Sequence, residues 1–324
     1  MEKQKPFHGR LGHSGSLKPV IDRLALAYGI GTVSTFGIIE VGYEDCNVAI
    51  ETSTSKYVAK IFSKGRTADD ISRYTKTMEM VMNAGVNHPP VIRTAEGKFV
   101  HKDLQASGIS MVLMEFIEGK TFFELDRAPD SRELGIILEQ ASKINKIDYH
   151  PPYIFDTWAI PNIKAMFERV SKFIAQEDKP LIDEAISRYN KIPVDSLPHC
   201  FVHGDFTKAN ILKAKDGRIF ILDFSVSNWY PRIQELAVIT ANLLYRKTDS
   251  TTLQEKCNMV GSSYSKLNPL TKDEMRYLPD YALAGMAMEF MGAHQEKYIN
   301  GNDSEETGYW LNLGRQGLKK ALRM

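Results

Sequence analysis

The first part of the chain is built from short runs of β-branched and aromatic residues that alternate with turn-forming residues. These runs predict antiparallel strands at 37–41, 47–52, 57–62 and 109–116, with shorter strands at 89–94 and 99–101. Apolar residues at helical spacing predict a helix over 17–28 and another over 68–84, and a glycine follows each of them. We therefore expect an antiparallel sheet accompanied by two helices.

Beyond residue 119 the pattern becomes mainly helical. Apolar residues recur three and four positions apart, which predicts helices over 132–147, 160–174, 181–189, 281–298 and 309–322. Two short apolar strands, at 200–202 and 219–222, interrupt this part, and each runs directly into a polar cluster. The whole pattern predicts an α+β fold: a flexible segment at 1–17, a strand-rich lobe at 18–118 and a helix-rich lobe at 119–324.

Charge and cysteine content narrow the class of partner. The 324 residues contain 41 Lys and Arg against 40 Asp and Glu, with no basic run and no acidic tail. This balance does not suit a nucleic-acid or membrane-surface protein, so we expect a small-molecule partner. The cysteines form no C-x-x-C pair and the polar N-terminus does not suit a signal peptide, so we expect a reducing, cytoplasmic location. The oligomeric state stays open.

The two polar clusters carry the candidate chemistry. The first contains Asp205 and Asn210 and the second contains Asp223, each cluster lying at the end of an apolar strand. Two carboxylates and an amide on a backbone held by apolar runs suit a magnesium ion, with one carboxylate left for proton chemistry. For any single residue of this set, a turn or a helix cap is the competing interpretation.

The motif His203-Gly204-Asp205-x-x-x-x-Asn210, followed by Ile221-x-Asp223-Phe224, resembles the aminoglycoside phosphotransferase and choline kinase family. The resemblance covers nearly the whole chain and implies a bilobal protein-kinase-like fold, with an antiparallel-sheet N-lobe that binds ATP and a mainly helical C-lobe. It implies that Asp205 accepts or orients the proton of a substrate hydroxyl, while Asn210 and Asp223 hold Mg²⁺. His203 is expected to shape the loop through hydrogen bonds to the backbone.

The same resemblance assigns nucleotide-binding residues in the N-lobe. Lys60, in Tyr57-Val58-Ala59-Lys60, is expected to pair with the α- and β-phosphates. Its carboxylate partner is expected to be Glu79, although Asp70 competes and Glu79 could instead form a surface pair with Lys76. Backbone amides near Cys46 and Asn47 are expected to meet the phosphates, although the acidic Glu44 and Asp45 beside them would repel phosphates unless turned outward.

Three further expectations complete the nucleotide site and its surroundings. The segment 109–116 resembles a hinge strand, so backbone groups of Glu115, Phe116 and Ile117 are expected to bind the adenine edge. Lys208 is placed either at the γ-phosphate or in solvent. Glu235 is expected to support the metal-binding loop, with a favourable position in a first helical turn as the alternative.

The acceptor that receives the phosphate is only hinted at by the sequence. Trp158 and Trp229 are candidates for an aromatic wall, and Glu289 is a candidate for binding an amine, although residues of these types are more often core or surface. Candidate acceptors are amino alcohols, homoserine, sugars and aminoglycosides, with metabolites preferred. The choice between ATP and GTP stays open.

Two other classes of enzyme compete with a small-molecule kinase. A metal-dependent hydrolase would use His203, Asp205 and Asp223 as ligands, but it leaves Lys60 and Asn210 without a role. A kinase for protein substrates needs a peptide-docking segment after Asp223, and only eleven residues separate Asp223 from Glu235. We therefore predict an ATP- and Mg²⁺-dependent kinase that phosphorylates a hydroxyl of a small molecule.

Overall fold

The computed structural model describes residues 9–106 and 108–322. The chain divides into two compact units. The first contains the residues up to Met82 together with His88–Glu118, and the second contains Asn83–Asn87 and the chain from Gly119 onward.

An antiparallel sheet forms the centre of the first unit. Its strands are β1 (Val33–Ile39), β2 (Cys46–Thr52), β3 (Lys56–Ile61), β4 (Val91–Ile92), β5 (Val100–Asp103) and β6 (Ile109–Glu115). They lie in the order β1-β2-β3-β6-β4, with β5 also paired to β6. Alternate residues of β2 are buried, as expected for a strand with one face on the core. The unit also contains helices α1 (Lys18–Tyr28) and α2 (Ala68–Asn83).

Apolar side chains from α1 pack on one face of this sheet. Ile21 and Leu24 of α1 lie in the same buried cluster as Val48 of β2 and Ile61 of β3. Leu11 and Leu17, from the segment predicted to be flexible, belong to the same cluster, while residues 1–8 lie outside the described chain. Burial of these apolar surfaces stabilises the packing of α1 against β2 and β3.

Helices form most of the second unit. They are α3 (Ser131–Ile144), α4 (Ile163–Val170), α5 (Lys179–Tyr189), α6 (Ile233–Val238), α7 (Leu253–Ser265), α8 (Lys272–Tyr298) and α9 (Glu305–Leu322). Short strands complete the unit: β7 (Gly119–Thr121), β8 (His199–Val202), β9 (Ile211–Ala214), β10 (Ile219–Ile221) and β11 (Asn228–Pro231). One small sheet has the order β10-β9-β7 and another pairs β11 with β8.

The predicted α+β fold class is confirmed, and several element boundaries are wrong. The helix expected over 160–174 is interrupted, with 3₁₀ turns at Ile160–Asn162 and Ser171–Phe173 on either side of α4. Helix α7 was not predicted at all. Helix α8 begins at Lys272 rather than 281 and continues through Pro279, because the capping box of Thr271 and Glu274 starts it well before the proline.

No helix in the described ranges has the length and apolar character that a membrane span requires.

Candidate active site

The loop between β8 and β9 is organised around a buried histidine. His203 Nε2 donates to the carbonyl oxygen of Leu222 at 2.9 Å, and its Nδ1 accepts from the backbone N–H of Asp205 at 3.0 Å. Burial lowers the pKa of His203 to about 4, so the imidazole is neutral. Both ring nitrogens are used by the backbone, which supports the expected shaping role and removes the nitrogen ligand that the hydrolase alternative requires.

Glu235 of α6 binds the backbone of this loop. Its fully buried carboxylate accepts hydrogen bonds from the backbone N–H of His203 and, at 3.2 Å, from that of Gly204. Burial raises the pKa of Glu235 to about 8. Gly204 has a φ of +86°, a conformation that residues with a Cβ rarely adopt. The backbone N–H groups of the loop are therefore bound by the buried side chains of His203 and Glu235.

The structure brings Asp205, Asn210 and Asp223 together. Asn210 Nδ2 donates to Asp205 Oδ2 at 2.5 Å, which fixes the orientation of the carboxylate. The backbone N–H of Leu222 donates to the carbonyl oxygen of Asn210 at 2.8 Å, so Asp223 follows a residue bonded directly to Asn210.

Asp223 has an unusual backbone conformation. Its φ is +58°, which is uncommon for a residue other than glycine, and its Oδ1 accepts from Ser225 N at 3.1 Å. A strained conformation kept at the end of an apolar strand is typical of functional positions. The oxygen donors of Asn210 and Asp223 are of the kind that Mg²⁺ prefers, and the residues present fit that ion.

The position of Lys208 corrects a prediction. Its ammonium group is buried and lies 3.1 Å from the hydroxyl oxygen of Tyr309, with the ring of Tyr245 6.0 Å away. Burial lowers the pKa of Lys208 to about 8. Because this side chain packs between tyrosines, it is not the solvated lysine weighed as the alternative, and its contact with the γ-phosphate stays a prediction.

A turn of π-helix places Asn242 behind the loop. The π-turn covers Ile239–Leu243 directly after α6. Asn242 Oδ1 accepts from the backbone N–H of Lys208 at 2.9 Å, and its Nδ2 donates to Glu289 Oε1 at 2.6 Å. Asn242 therefore connects the catalytic loop to α8. No signal in the sequence predicts its position, because π-turns have no spacing of their own in an apolar pattern.

Two of the three candidate acceptor residues lie together. Burial raises the pKa of Glu289 to about 8, and the negative charges of Asp205 and Asp156 act in the same direction. Trp158 packs against α8 at Gly292, where an added Cβ would lie 2.5 Å from the indole ring. The backbone N–H of Trp158 also donates to Asp156 Oδ1 at 2.9 Å. Glu289, Trp158 and the previously unnoticed Asp156 thus share one region of the second unit.

Trp229 belongs to a different contact. It lies on β11 opposite Phe201, and its indole stacks on the imidazole of His150 with ring centroids 4.7 Å apart. The stack accounts for this tryptophan as part of the packing around β8 and β11.

On the first unit, Lys60 is buried on β3. Its ammonium nitrogen lies 3.2 Å from Asp45 Oδ2 and 5.6 Å from the centre of the Tyr74 ring. Asn47 stands directly opposite Lys60 in the strand register. Cys46 is buried beside them, and burial raises the pKa of its thiol to about 11. The structure brings Lys60, Cys46 and Asn47 together on neighbouring strands, and their contact with the phosphates stays a prediction.

The prediction that Glu79 is the carboxylate partner of Lys60 is wrong. Glu79 is half exposed and pairs with Lys76 at 3.5 Å and Arg93 at 3.7 Å. Asp70 Oδ2 instead accepts from the backbone N–H and the hydroxyl of Thr67, each at 2.8 Å, at the start of α2. The surface pair weighed as the alternative for Glu79 is the arrangement that the structure shows.

The hinge segment keeps only part of its predicted binding capacity. The backbone N–H of Glu115 donates to Pro90 O at 2.9 Å, and that of Phe116 donates to Lys56 O at 3.1 Å. These two amides are therefore used within the first unit. The amide of Ile117, the next residue, remains our candidate for the adenine edge.

Comparisons with known proteins give the family of the chain and its similar relatives. The model of the phosphotransferase enzyme family matches residues 35–270. A homoserine kinase of Sinorhizobium medicae is 22% identical over 276 residues, covering 83% of this chain and 81% of the relative. A homoserine kinase of Parvibaculum lavamentivorans is also 22% identical and covers 86% of each chain.

Solved structures show the same fold at lower identity. A spectinomycin phosphotransferase has a TM-score of 0.67 with 13% identity, covering 94% of this chain and 97% of the other. The choline kinase LicA of Streptococcus pneumoniae has a TM-score of 0.62 with 14% identity, covering 94% and 99%. These likenesses confirm the kinase-like fold.

The chain belongs to the phosphotransferase enzyme family, whose model spans most of its length. It is a small-molecule kinase, as the two motifs predicted.

Proposed function

We propose that this kinase transfers the γ-phosphate of ATP to the hydroxyl of a small amine-bearing molecule, with homoserine as the first candidate. The observation that carries the proposal is the Asp205 carboxylate, oriented by Asn210 on a loop that Glu235 and Asn242 hold in place. The homoserine kinase names of the relatives support the acceptor. Structures described as complexes with ADP and with AMP-PNP support the nucleotide.

The chemistry follows from the position of Asp205. Its carboxylate orients the acceptor hydroxyl and accepts its proton as the oxygen–phosphorus bond forms, while the bond from the γ-phosphorus to the β-phosphate oxygen breaks and ADP leaves. Asn210 and Asp223 would hold Mg²⁺, which neutralises phosphate charge when bound. Lys60 binds the α- and β-phosphates and adds a second positive charge.

The charges around Asp205 support an acceptor that carries an ammonium group. Glu289 interacts electrostatically with two other carboxylates, Asp156 and Asp205. An ammonium group bound there would relieve the repulsion among these carboxylates, since an opposite charge nearby favours the ionised form. Homoserine and amino alcohols carry such a group, whereas neutral sugars do not.

An ADP-release assay over homoserine, ethanolamine, choline, neutral sugars and aminoglycosides tests the acceptor. N-acetylhomoserine, which keeps the hydroxyl and loses the ammonium charge, is the matched control. We expect turnover with homoserine and at least tenfold lower kcat/KM with the acetylated compound. Equal turnover of the two compounds would contradict recognition of the amine.

Thermal stability with Mg²⁺ and ATP tests the nucleotide site separately. We expect the two together to raise Tm of the wild-type protein and to lose this effect in Asp223→Ala. If Mg²⁺ and ATP do not raise Tm of the wild type, the proposed use of ATP is contradicted.

The cytoplasmic location also belongs to the proposal, supported by three cysteines that form no disulfide.

A further inference from the structure

We propose that Asp45, in the turn before β2, positions Lys60 for ATP, the task that the sequence led us to expect of Glu79 on α2. The inference rests on the proposed function, because Lys60 acquires its role from binding the ATP phosphates. Asp45 acts through Lys60 and is a positioning residue. It also gives the turn between β1 and β2 a direct influence on the nucleotide.

The contact between the two side chains is buried on both sides. Lys60 Nζ lies 3.2 Å from Asp45 Oδ2, and the side chains are only 3% and 2% exposed. A buried ammonium group without a nearby negative charge is costly, so Asp45 fixes both the charge and the direction of Lys60. Exposed ion pairs contribute little because water screens them, but this one is removed from water.

Helix α2 does not offer Lys60 an equivalent carboxylate. The helix has three acidic residues: Asp69 is exposed, Asp70 accepts from Thr67 at the helix start, and Glu79 pairs with Lys76 and Arg93. Tyr74, which faces the core on the other side of the helix, presents its ring to Lys60 instead. The carboxylate that contacts Lys60 therefore comes from the turn before β2 and not from α2.

Asp45 is itself held by the residues that follow β3. Its Oδ1 accepts from the backbone N–H of Ser63 at 3.1 Å and from Arg66 Nε at 3.3 Å. The guanidinium group of Arg66 also pairs with Glu44. Asp45 is thus fixed from two directions, and the repulsion that Glu44 and Asp45 would exert on phosphates is offset by Arg66 and Lys60.

A second arginine holds the beginning of the same turn. Arg10 Nη1 donates to the carbonyl oxygen of Gly42 at 2.6 Å. The turn that the sequence assigned to the phosphates, residues 42–47, is therefore held by Arg10 at Gly42 and by Ser63 and Arg66 at Asp45, the residue that carries the carboxylate for Lys60. Its geometry and the direction of Lys60 are coupled through one side chain.

A double-mutant cycle separates this role from a merely structural one. The variants are Asp45→Asn, Lys60→Met and the double variant, with Glu79→Gln as the matched control. Asparagine keeps one oxygen that can accept from Ser63 N, removes the negative charge and replaces the other oxygen with an NH2 group. The readouts are the dissociation constant of ATP with Mg²⁺ by calorimetry, and kcat and KM for ATP and for the phosphate acceptor.

We expect Lys60→Met and Asp45→Asn each to lower kcat/KM for ATP by about tenfold or more while KM for the acceptor changes less than twofold. The double variant should be no worse than Lys60→Met alone, because residues that act through one contact are not additive. Glu79→Gln should remain within twofold of wild type. Asp45→Glu, which keeps the charge, should recover a large part of the loss.

The other outcomes separate the inference from the proposed function. If Lys60→Met lowers kcat/KM and Asp45→Asn does not, or if their losses add in the double variant, the inference is wrong and the proposed function stands. If Lys60→Met has no effect, the role of Lys60 fails and the inference fails with it. If Asp45→Asn does not fold, Asp45→Glu is made both in the wild-type protein and in the Lys60→Met variant. If Asp45→Glu lowers kcat/KM for ATP in the Lys60→Met variant as well, the inference is overturned.

Discussion

Asp205 is the residue on which turnover should depend most strongly. Replacing it with asparagine keeps the size of the side chain and removes the carboxylate that we propose accepts the proton. We expect kcat to fall by about 10²-fold or more in Asp205→Asn, because general-base catalysis contributes about that much. Steady-state turnover measures this loss, and calorimetry with ATP and Mg²⁺ should give an affinity close to that of the wild type.

A parallel loss of nucleotide affinity in Asp205→Asn would contradict this assignment. It would place Asp205 with the metal ligands or with the groups that hold the loop, since Asn210 donates to it at 2.5 Å.

Glu289 provides a prediction on pH. Burial raises its pKa to about 8, so in the free enzyme it is protonated at pH 7 and ionised above about pH 8. If it binds the ammonium group of the acceptor, kcat/KM for homoserine should rise as pH increases through about 8, because the negative charge appears there. Glu289→Gln should have a lower kcat/KM and should lose this rise. Identical pH profiles in the two proteins would remove Glu289 from the acceptor site.

Residues differ in how far the sequence could predict them. Asp205, Asn210 and Asp223 lie within motifs of fixed spacing next to apolar strands, so their proximity followed from the pattern. Lys208 and Asp45 could not be assigned in this way, because a charged residue in a loop gives no sign of which residues distant in the sequence will surround it. The Glu79 prediction was wrong because its distance in sequence from Lys60 does not determine which carboxylate the folded chain brings to the ammonium group.

Elements offer a test of packing that is independent of the chemistry. Helices α8 and α9 approach closely at Gly314, where an added Cβ would lie 2.8 Å from the Cα of Phe290. We expect Gly314→Ala to lower the free energy of unfolding by about 1–3 kcal/mol because the crowded backbones must separate. Thermal and urea unfolding measure the change.

Gly308 is the matched control on the same helix. It is exposed and an added Cβ would meet nothing within 4 Å, so Gly308→Ala should be neutral or stabilising, since alanine favours helix by up to about 1 kcal/mol. Equal destabilisation by the two substitutions would show that the helix, rather than its contact with α8, sets the cost.

Strands and helices were predicted best where one face is buried along the whole element. Strand β2 could be predicted because its buried residues alternate, and β6 could be predicted because its buried residues form a continuous apolar run. Helix α7 and the first turns of α8 were missed although each begins with a capping box, Thr252 with Glu255 and Thr271 with Glu274. Their apolar spacing is irregular, and a proline normally signals a helix end, so tertiary packing had to override the local signal.

For the whole molecule, the class of enzyme was easier to predict than its substrate. Phosphoryl transfer needs a small set of charged groups in fixed positions, and these groups leave a motif in the sequence. The proposed acceptor region instead combines Asp156 and Trp158, from the segment between α3 and the 3₁₀ turn at Ile160, with Glu289 of α8, more than 100 residues further along the chain. The family relationship therefore fixes the reaction type, while the acceptor depends on how the second unit folds.

Mass spectrometry of the product formed from homoserine, ATP and Mg²⁺ tests the central claim most directly. The account predicts that wild-type enzyme converts homoserine into a species heavier by one phosphoryl group, with one ADP released per product, and that Asp205→Asn forms none above background. ADP release without a phosphorylated acceptor, or an active Asp205→Asn enzyme, would contradict it.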